Sequence, residues 1–191
     1  MDFAISIAMV LGILPFLPLI ALAIKIDSRG PILVKCKRVS GGREIRAYKF
    51  RSMILGAENR KKELEHLNDR KDGPFFKIKR DPRVTRVGRI LRATLIDEIP
   101  QAINVLKGEM AIVGPRPHEP AEVEKYPDEY KHLPFARAGI TGVSQVSGAS
   151  FLNWMKELEL DAEYLSNINF RNDLRIIFKT LAIFFSKPKG V

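Results

Sequence analysis

Cysteine and histidine are scarce in this chain of 191 residues: Cys36 stands alone, and His66, His118 and His132 are far apart. A lone cysteine excludes an intramolecular disulfide and fits a reducing compartment. It also excludes the cysteine spacings of a structural zinc site, and the scattered histidines supply no other transition-metal pattern. Acidic residues are outnumbered, 22 against 32 Lys and Arg, which leaves a formal charge of +10. Such an excess draws an anionic partner, whether nucleic acid, anionic lipid or a phosphorylated substrate, and does not choose among them. Internal repeats, low-complexity tracts, P-loops and dinucleotide fingerprints are all missing. Charge itself is missing from Phe3 to Ile24, where Ser6 is the one polar residue.

That run would measure roughly 33 Å as a helix, close to the hydrocarbon thickness of a bilayer. A cleaved signal peptide is a poor reading: a basic leader is missing, the apolar stretch is too long, and no small-residue cleavage site precedes Asp27. Pro15 and Pro18 near the middle each remove a backbone donor, so a break is expected there. Two outcomes compete: a kinked span, and a helix–break–helix that returns to the same face. The basic remainder is cytoplasmic for either outcome.

Beyond the turn cluster at Asp27–Pro31, Ile32–Val39 and Glu44–Phe50 flank Ser40-Gly41-Gly42-Arg43 as a hairpin. The apolar period predicts a helix over Met53–Leu67, and Asn68–Pro82 reads as a mobile basic loop. Further helices are expected over Val84–Arg92, Ile99–Leu106, Pro117–Leu133 (broken near Pro127), Trp154–Leu165 and Asp173–Phe185, with a strand at Glu109–Val113. In the last helix Leu174, Ile177, Phe178, Leu181, Phe184 and Phe185 oppose Arg171, Arg175, Lys179 and Lys187. Such a helix packs on a core or lies on anionic lipid, with Phe151 and Trp154 seating the domain at headgroup depth.

The chemistry concentrates in Asp97-Glu98-Ile99-Pro100-Gln101 and Pro115-Arg116-Pro117. Asp97 alone reads as a helix N-cap. Apolar Leu95, Ile96 and Ile99 surround the pair, however, and Arg89 and Arg92 lie one to two turns earlier. These arginines would keep a carboxylate ionised or hold a phosphate. An ionised Asp is a nucleophile toward phosphorus, while its neighbour, pointing elsewhere, is free to bind Mg²⁺. Prolines on both sides fix the backbone that presents Arg116, whose planar fork suits phosphate. Lys49 and Arg51 in Lys-Phe-Arg-Ser-Met, with Arg80, Arg83 and Arg86, add positive charge near the anchor. Arg137 and Gln145 belong to a glycine-rich stretch, Arg137–Gly148, that permits close backbone approach.

Taken in order, five blocks resemble the bacterial sugar transferases, the monotopic polyprenyl-phosphate phosphoglycosyl transferases, over almost the whole chain. They are Lys-Phe-Arg-Ser-Met, Asp-Pro-Arg-Val-Thr, Asp-Glu-Ile-Pro-Gln, Val-Gly-Pro-Arg-Pro and Gly-Ile-Thr-Gly. The resemblance implies an α+β, helix-dominated fold. Its parts are a re-entrant membrane helix broken near Pro15 (residues 1–26), a small hairpin, and interfacial amphipathic helices around a cytoplasmic active site (residues 27–191). It implies transfer of a sugar 1-phosphate from a UDP-sugar to undecaprenyl phosphate, with UMP released and a covalent phosphosugar on Asp97. Glu98 is then the Mg²⁺ ligand, with Asp97 as its companion. Lys49, Arg51, Arg89, Arg92, Arg116, Arg137 and Gln145 serve phosphate or substrate. The expected setting is the inner leaflet of a bacterial cytoplasmic membrane, without nucleic acid, in a minimal catalytic form, and a second copy is a candidate partner. Leu14 stands where the family carries a serine before the proline, and Ala138 and Val143-Ser144 also depart from its pattern. The competing function is a tethered basic module that binds lipid or nucleic acid without catalysis. The competing mechanism is direct transfer, with both carboxylates as metal ligands.

Overall fold

The computed structural model describes residues 1–148 and 152–185. Phe151 and Lys187, named above as lipid contacts, lie outside the described residues. The chain is helix-rich α+β with two small sheets.

The apolar run forms α1 (Asp2–Ile13) and α2 (Leu17–Asp27), joined by a 3₁₀ turn over Leu14–Phe16. Pro15 and Pro18 fall where the expected interruption lies. Tightening to 3₁₀ is the physical consequence of losing their N–H donors. Together the two helices are long and apolar enough to cross a membrane. One side of this rod is packed: Ile5 and Met9 meet a core of Val105, Met110 and Ile112, and Ile13, Leu17 and Ile20 meet Ile24, Phe50 and Leu91. The other side leaves Phe3, Leu11, Leu14, Leu19, Leu22 and Ile26 about half or more exposed.

β1 (Leu33–Ser40) and β2 (Arg43–Phe50) pair antiparallel around Gly41 and Gly42, both at positive φ as a tight two-residue turn requires. The helix expected over Met53–Leu67 is replaced by successive tight turns, such as Asn59 N–H to Gly56 C=O and Lys61 N–H to Glu58 C=O, ending in one 3₁₀ turn at Glu65–Leu67. Gly56, at φ +75°, breaks the right-handed path before a helix can nucleate. α3 (Arg86–Ala93) is capped by Thr85, whose hydroxyl accepts from Gly88 N–H at 2.9 Å. It is also capped by Asp27 at the end of α2, which accepts from Val87 N–H at 2.8 Å. A 3₁₀ helix (Ile96–Gln101) then leads into α4 (Ala102–Leu106). Asp97 is therefore not an N-cap: Leu95 holds that place, in the left-handed region at φ 53°.

β3 (Ala111–Val113) pairs in parallel with β4 (Gly139–Thr141), a strand that the glycine-rich reading did not contain. The expected Pro117–Leu133 helix is only α5 (Pro120–Val123), followed by 3₁₀ turns at Asp128–Tyr130 and Leu133–Phe135. Pro127 and Pro134 interrupt any longer ladder. α6 (Val143–Val146), α7 (Trp154–Ser166) and α8 (Phe170–Phe185) complete the fold. On α8 Ile176 is buried while Phe170, Phe178 and Leu181 are exposed. Trp154 faces the protein, edge-on to Phe75 and against Gly73, rather than seating the domain at a headgroup layer.

Candidate active site

The dyad is placed by a chain of backbone matches. Asn104 on α4, fully buried, donates to Arg46 C=O at 2.9 Å and accepts from Tyr48 N–H at 3.0 Å. It thus completes β2 as a neighbouring strand would. That register brings Lys49 on β2 to Glu98, Nζ to Oε1 2.7 Å. Gln101, also fully buried, donates to the other oxygen, Oε2, at 3.1 Å. Burial alone would raise the Glu98 carboxyl. The Lys49 charge and hydrogen bond outweigh it, aided by Arg116 and Gln101, and Glu98 lies below the usual range. For Asp97 burial wins: the carboxyl is pushed up to about 6, against Lys49 and Arg92 and reinforced by the neighbouring Glu98 charge.

Two arginines face this dyad across one cleft of about 1180 Å³. Arg92 on α3 has its Nε fixed by Ser52 Oγ at 2.9 Å. α3 comes close enough for that because Gly88 lies on the Ser52 backbone, where a Cβ would meet the carbonyl oxygen at 2.0 Å. Arg116 has its Nε 3.5 Å from Glu157 and its backbone N–H donating to Asp161 at 2.9 Å. Among the described residues no hydrogen bond occupies the terminal nitrogens of either arginine. Two planar forks, each held by its Nε, are thus presented to a common space, which is what phosphate oxygens require.

Lys49, Arg89, Arg92, Arg116, Asp97 and Glu98 all line the cleft. Arg51 also borders it, but its guanidinium is turned into the protein. It donates to the carbonyls of Ile24, Ser28 and Arg29 and closes the C-terminus of α2. Gly30 is required beneath it, since a Cβ there would lie 2.1 Å from Arg51 Nη1. Arg137 is exposed and Gln145 sits beside Ser144 and Gly142; neither lines the cleft. Arg83, counted with the basic blocks, is buried against Asp81 at 2.7 Å and the Ala57 carbonyl. Its charge is internal.

The loop 68–82 is tied down rather than free. Asn68 accepts from Arg70 N–H and Lys77 N–H, and Arg70 reaches Glu157 at 2.9 Å. Phe75 stacks on His118, centroids 4.3 Å apart. The sequence reading missed Glu157, Asp161 and His118. Glu157 and Asp161 alternate with Glu159 and Glu163 along α7, so the sequence carries no signal that sets the buried pair apart.

A model of the bacterial sugar transferase family matches residues 1–187. The chain belongs to that family. The Salmonella typhimurium protein named undecaprenyl-phosphate galactose phosphotransferase is 41% identical over 162 residues, 81% of this chain and 33% of that protein. The Escherichia coli protein named UDP-glucose:undecaprenyl-phosphate glucose-1-phosphate transferase is 38% identical over 189 residues, 94% of this chain and 38% of its own. The exopolysaccharide production protein PSS of Rhizobium leguminosarum is 35% identical over 201 residues, 99% of this chain and 95% of that protein. The chain spans about a third of the first relative, under two fifths of the second and nearly all of the third.

Proposed function

We propose that this bacterial sugar transferase moves a sugar 1-phosphate from a UDP-sugar to a polyprenyl phosphate, in two steps through Asp97. The observation that carries this reading is an adjacent carboxylate pair, Asp97 buried and Glu98 half-buried, facing two anchored arginine forks in a cleft. An Asp97 carboxylate oxygen attacks the sugar-linked phosphorus. The bond from that phosphorus to the bridging oxygen breaks, and UMP leaves with the electron pair. A phosphate oxygen of the lipid then attacks the same phosphorus, which breaks the acyl phosphate bond and returns Asp97 as a carboxylate. Arg92 and Arg116 hold phosphate oxygens throughout, and Lys49 keeps Glu98 ionised.

Among the described residues no three His, Cys, Asp or Glu converge, so a protein cage for a cation is not available. Glu98 has one hydrogen bond on each oxygen, which leaves a lone pair on each, and Asp97 adds a second carboxylate. This sparse, all-oxygen donor set fits Mg²⁺, which takes few protein ligands and completes its shell with phosphate and water. When bound, the ion would neutralise charge on the diphosphate.

The acceptor's lipid character is supported by the rim. Leu55 and Leu95 border the cleft, and Ile90 on α3 is 64% exposed beside the apolar α2. Both ends of the N-terminal rod pack on the same body of the protein: Ile5 with Met110, and Ile24 with Leu91. A re-entrant insertion with both ends on the cytoplasmic face satisfies that packing, and a span leaving α1 on the far side does not. The exposed Phe170, Phe178 and Leu181 of α8 extend the lipid-facing surface.

The test is a panel of UDP-sugars with polyprenyl phosphate and Mg²⁺, followed by UMP release. One or more donors should support turnover that chelation abolishes, and Glu98→Gln should be severely impaired with partial recovery at high Mg²⁺. No release from any donor would leave the tethered binding module as the better reading.

A further inference from the structure

Glu157 is 2% exposed on α7, well away in sequence from every block that defines the cleft, yet it forms part of the cleft wall. Three cationic or proton-bearing groups converge on it. Arg70 Nη1 donates to Oε2 at 2.9 Å, and Arg116 Nε and His118 Nε2 each lie 3.5 Å from Oε1. Burial would raise its carboxyl, but the nearby His118 and Arg116 and the Arg70 hydrogen bond outweigh it, so Glu157 is held as an anion. One turn further along α7, Asp161 takes the Arg116 backbone N–H at 2.9 Å. Arg116 is therefore gripped twice by one helix face, at its main chain and at its Nε.

Buried ion networks of this kind contribute little net stability relative to a packed apolar alternative. Their use is to fix geometry. Arg116 keeps 39% of its side chain exposed, and its charge reaches Glu98 across the cleft. Arg70 belongs to the loop 68–82 and also lies over Phe75, which stacks on His118. The loop and the phosphate-facing arginine thus share a single carboxylate.

We propose that Glu157, with Asp161, positions Arg116 for the diphosphate of the donor and couples the loop 68–82 to it. This rests on the transfer reading above. Glu157 acts through Arg116 and touches no reacting atom.

The experiment is a double-mutant cycle on the full chain in detergent, with UDP as the probe and binding read by calorimetry. Glu157→Gln keeps the size and removes the charge. It should weaken UDP binding about tenfold when Arg116 is present. In an Arg116→Met background the same change should cost twofold or less, because the group it positions is gone. Glu157→Asp, which retains the charge, should recover part of the affinity. If the Gln variant shows no cooperative melt, Glu157→Asp replaces it in the cycle, with a loss of about threefold that disappears in Arg116→Met. Additive losses, or a wild type that does not bind UDP, would overturn the proposal. Coupled UDP binding without UMP release would remove the transfer reading and leave the positioning intact. UMP release with additive losses would do the reverse.

Discussion

Asp97 is held where ionising it costs free energy. Lys49 is committed to Glu98, the Arg92 Nε to Ser52, and burial dominates what remains. Its carboxyl titrates near 6 when folded, against 3.8 for a free side chain. Well below pH 3.8 the group is neutral in both states and carries no penalty. As pH rises toward 6 the unfolded chain ionises first and stability is lost, reaching about 3 kcal/mol above pH 6. Asp97→Asn should therefore melt above wild type at pH 7.5, by about 5 °C or more, with most of that difference gone by about pH 4. Equal midpoints at both pH values would mean that the carboxylate is well solvated. Asp97 and Glu98 were legible in the sequence because acids among Leu95, Ile96 and Ile99 are conspicuous. Arg51 was not: a basic block does not reveal that its guanidinium closes α2 through three carbonyls from a segment more than twenty residues earlier.

Among the elements, the small α4 does more than its five residues imply. Asn104 serves as the strand neighbour of β2, and so fixes where Lys49 meets Glu98. Asn104→Ala would leave Tyr48 N–H and Arg46 C=O without that partner, at a cost of about 2–3 kcal/mol. It should also lower kcat by an order of magnitude or more as Lys49 and Glu98 lose register. Denaturant melts and steady-state UMP release check the two effects, and an unchanged kcat in a destabilised variant would separate fold from site. Local elements were readable. The hairpin followed from its glycine turn, whereas α3 was expected from Val84 and begins at Arg86, after the Thr85 cap. The turns over residues 53–67 carry a helical apolar spacing, but Gly56 at φ +75° redirects the chain. β4 eluded the pattern because three residues in a glycine-rich stretch have no period. Its pairing with β3 comes from contact between distant segments.

At the scale of the whole molecule, the N-terminal rod is a wall of the domain and, on the proposed reading, its anchor. Ile5 and Met9 pack on one core and Ile24 belongs to another, while the opposite side leaves a row of apolar residues exposed. With Cys36 replaced by serine, a cysteine at position 2 should resist impermeant reagents added outside intact cells and react in inverted vesicles. Labelling from outside would establish a true span. The length of this segment and the place of its 3₁₀ interruption were legible from its apolar run and prolines, while its packing along the protein depends on tertiary contacts that periodicity does not encode. All these features meet in one claim, that the dyad carries the phosphosugar covalently between a soluble donor and a membrane-borne acceptor. The most direct measurement is the intact mass of the protein after mixing with a turned-over UDP-sugar and Mg²⁺, without acceptor. The account predicts a gain equal to one phosphosugar, lost on adding polyprenyl phosphate and absent in Asp97→Asn. Unchanged mass in a wild type that turns over, or appreciable turnover by Asp97→Asn, would contradict it and favour direct transfer.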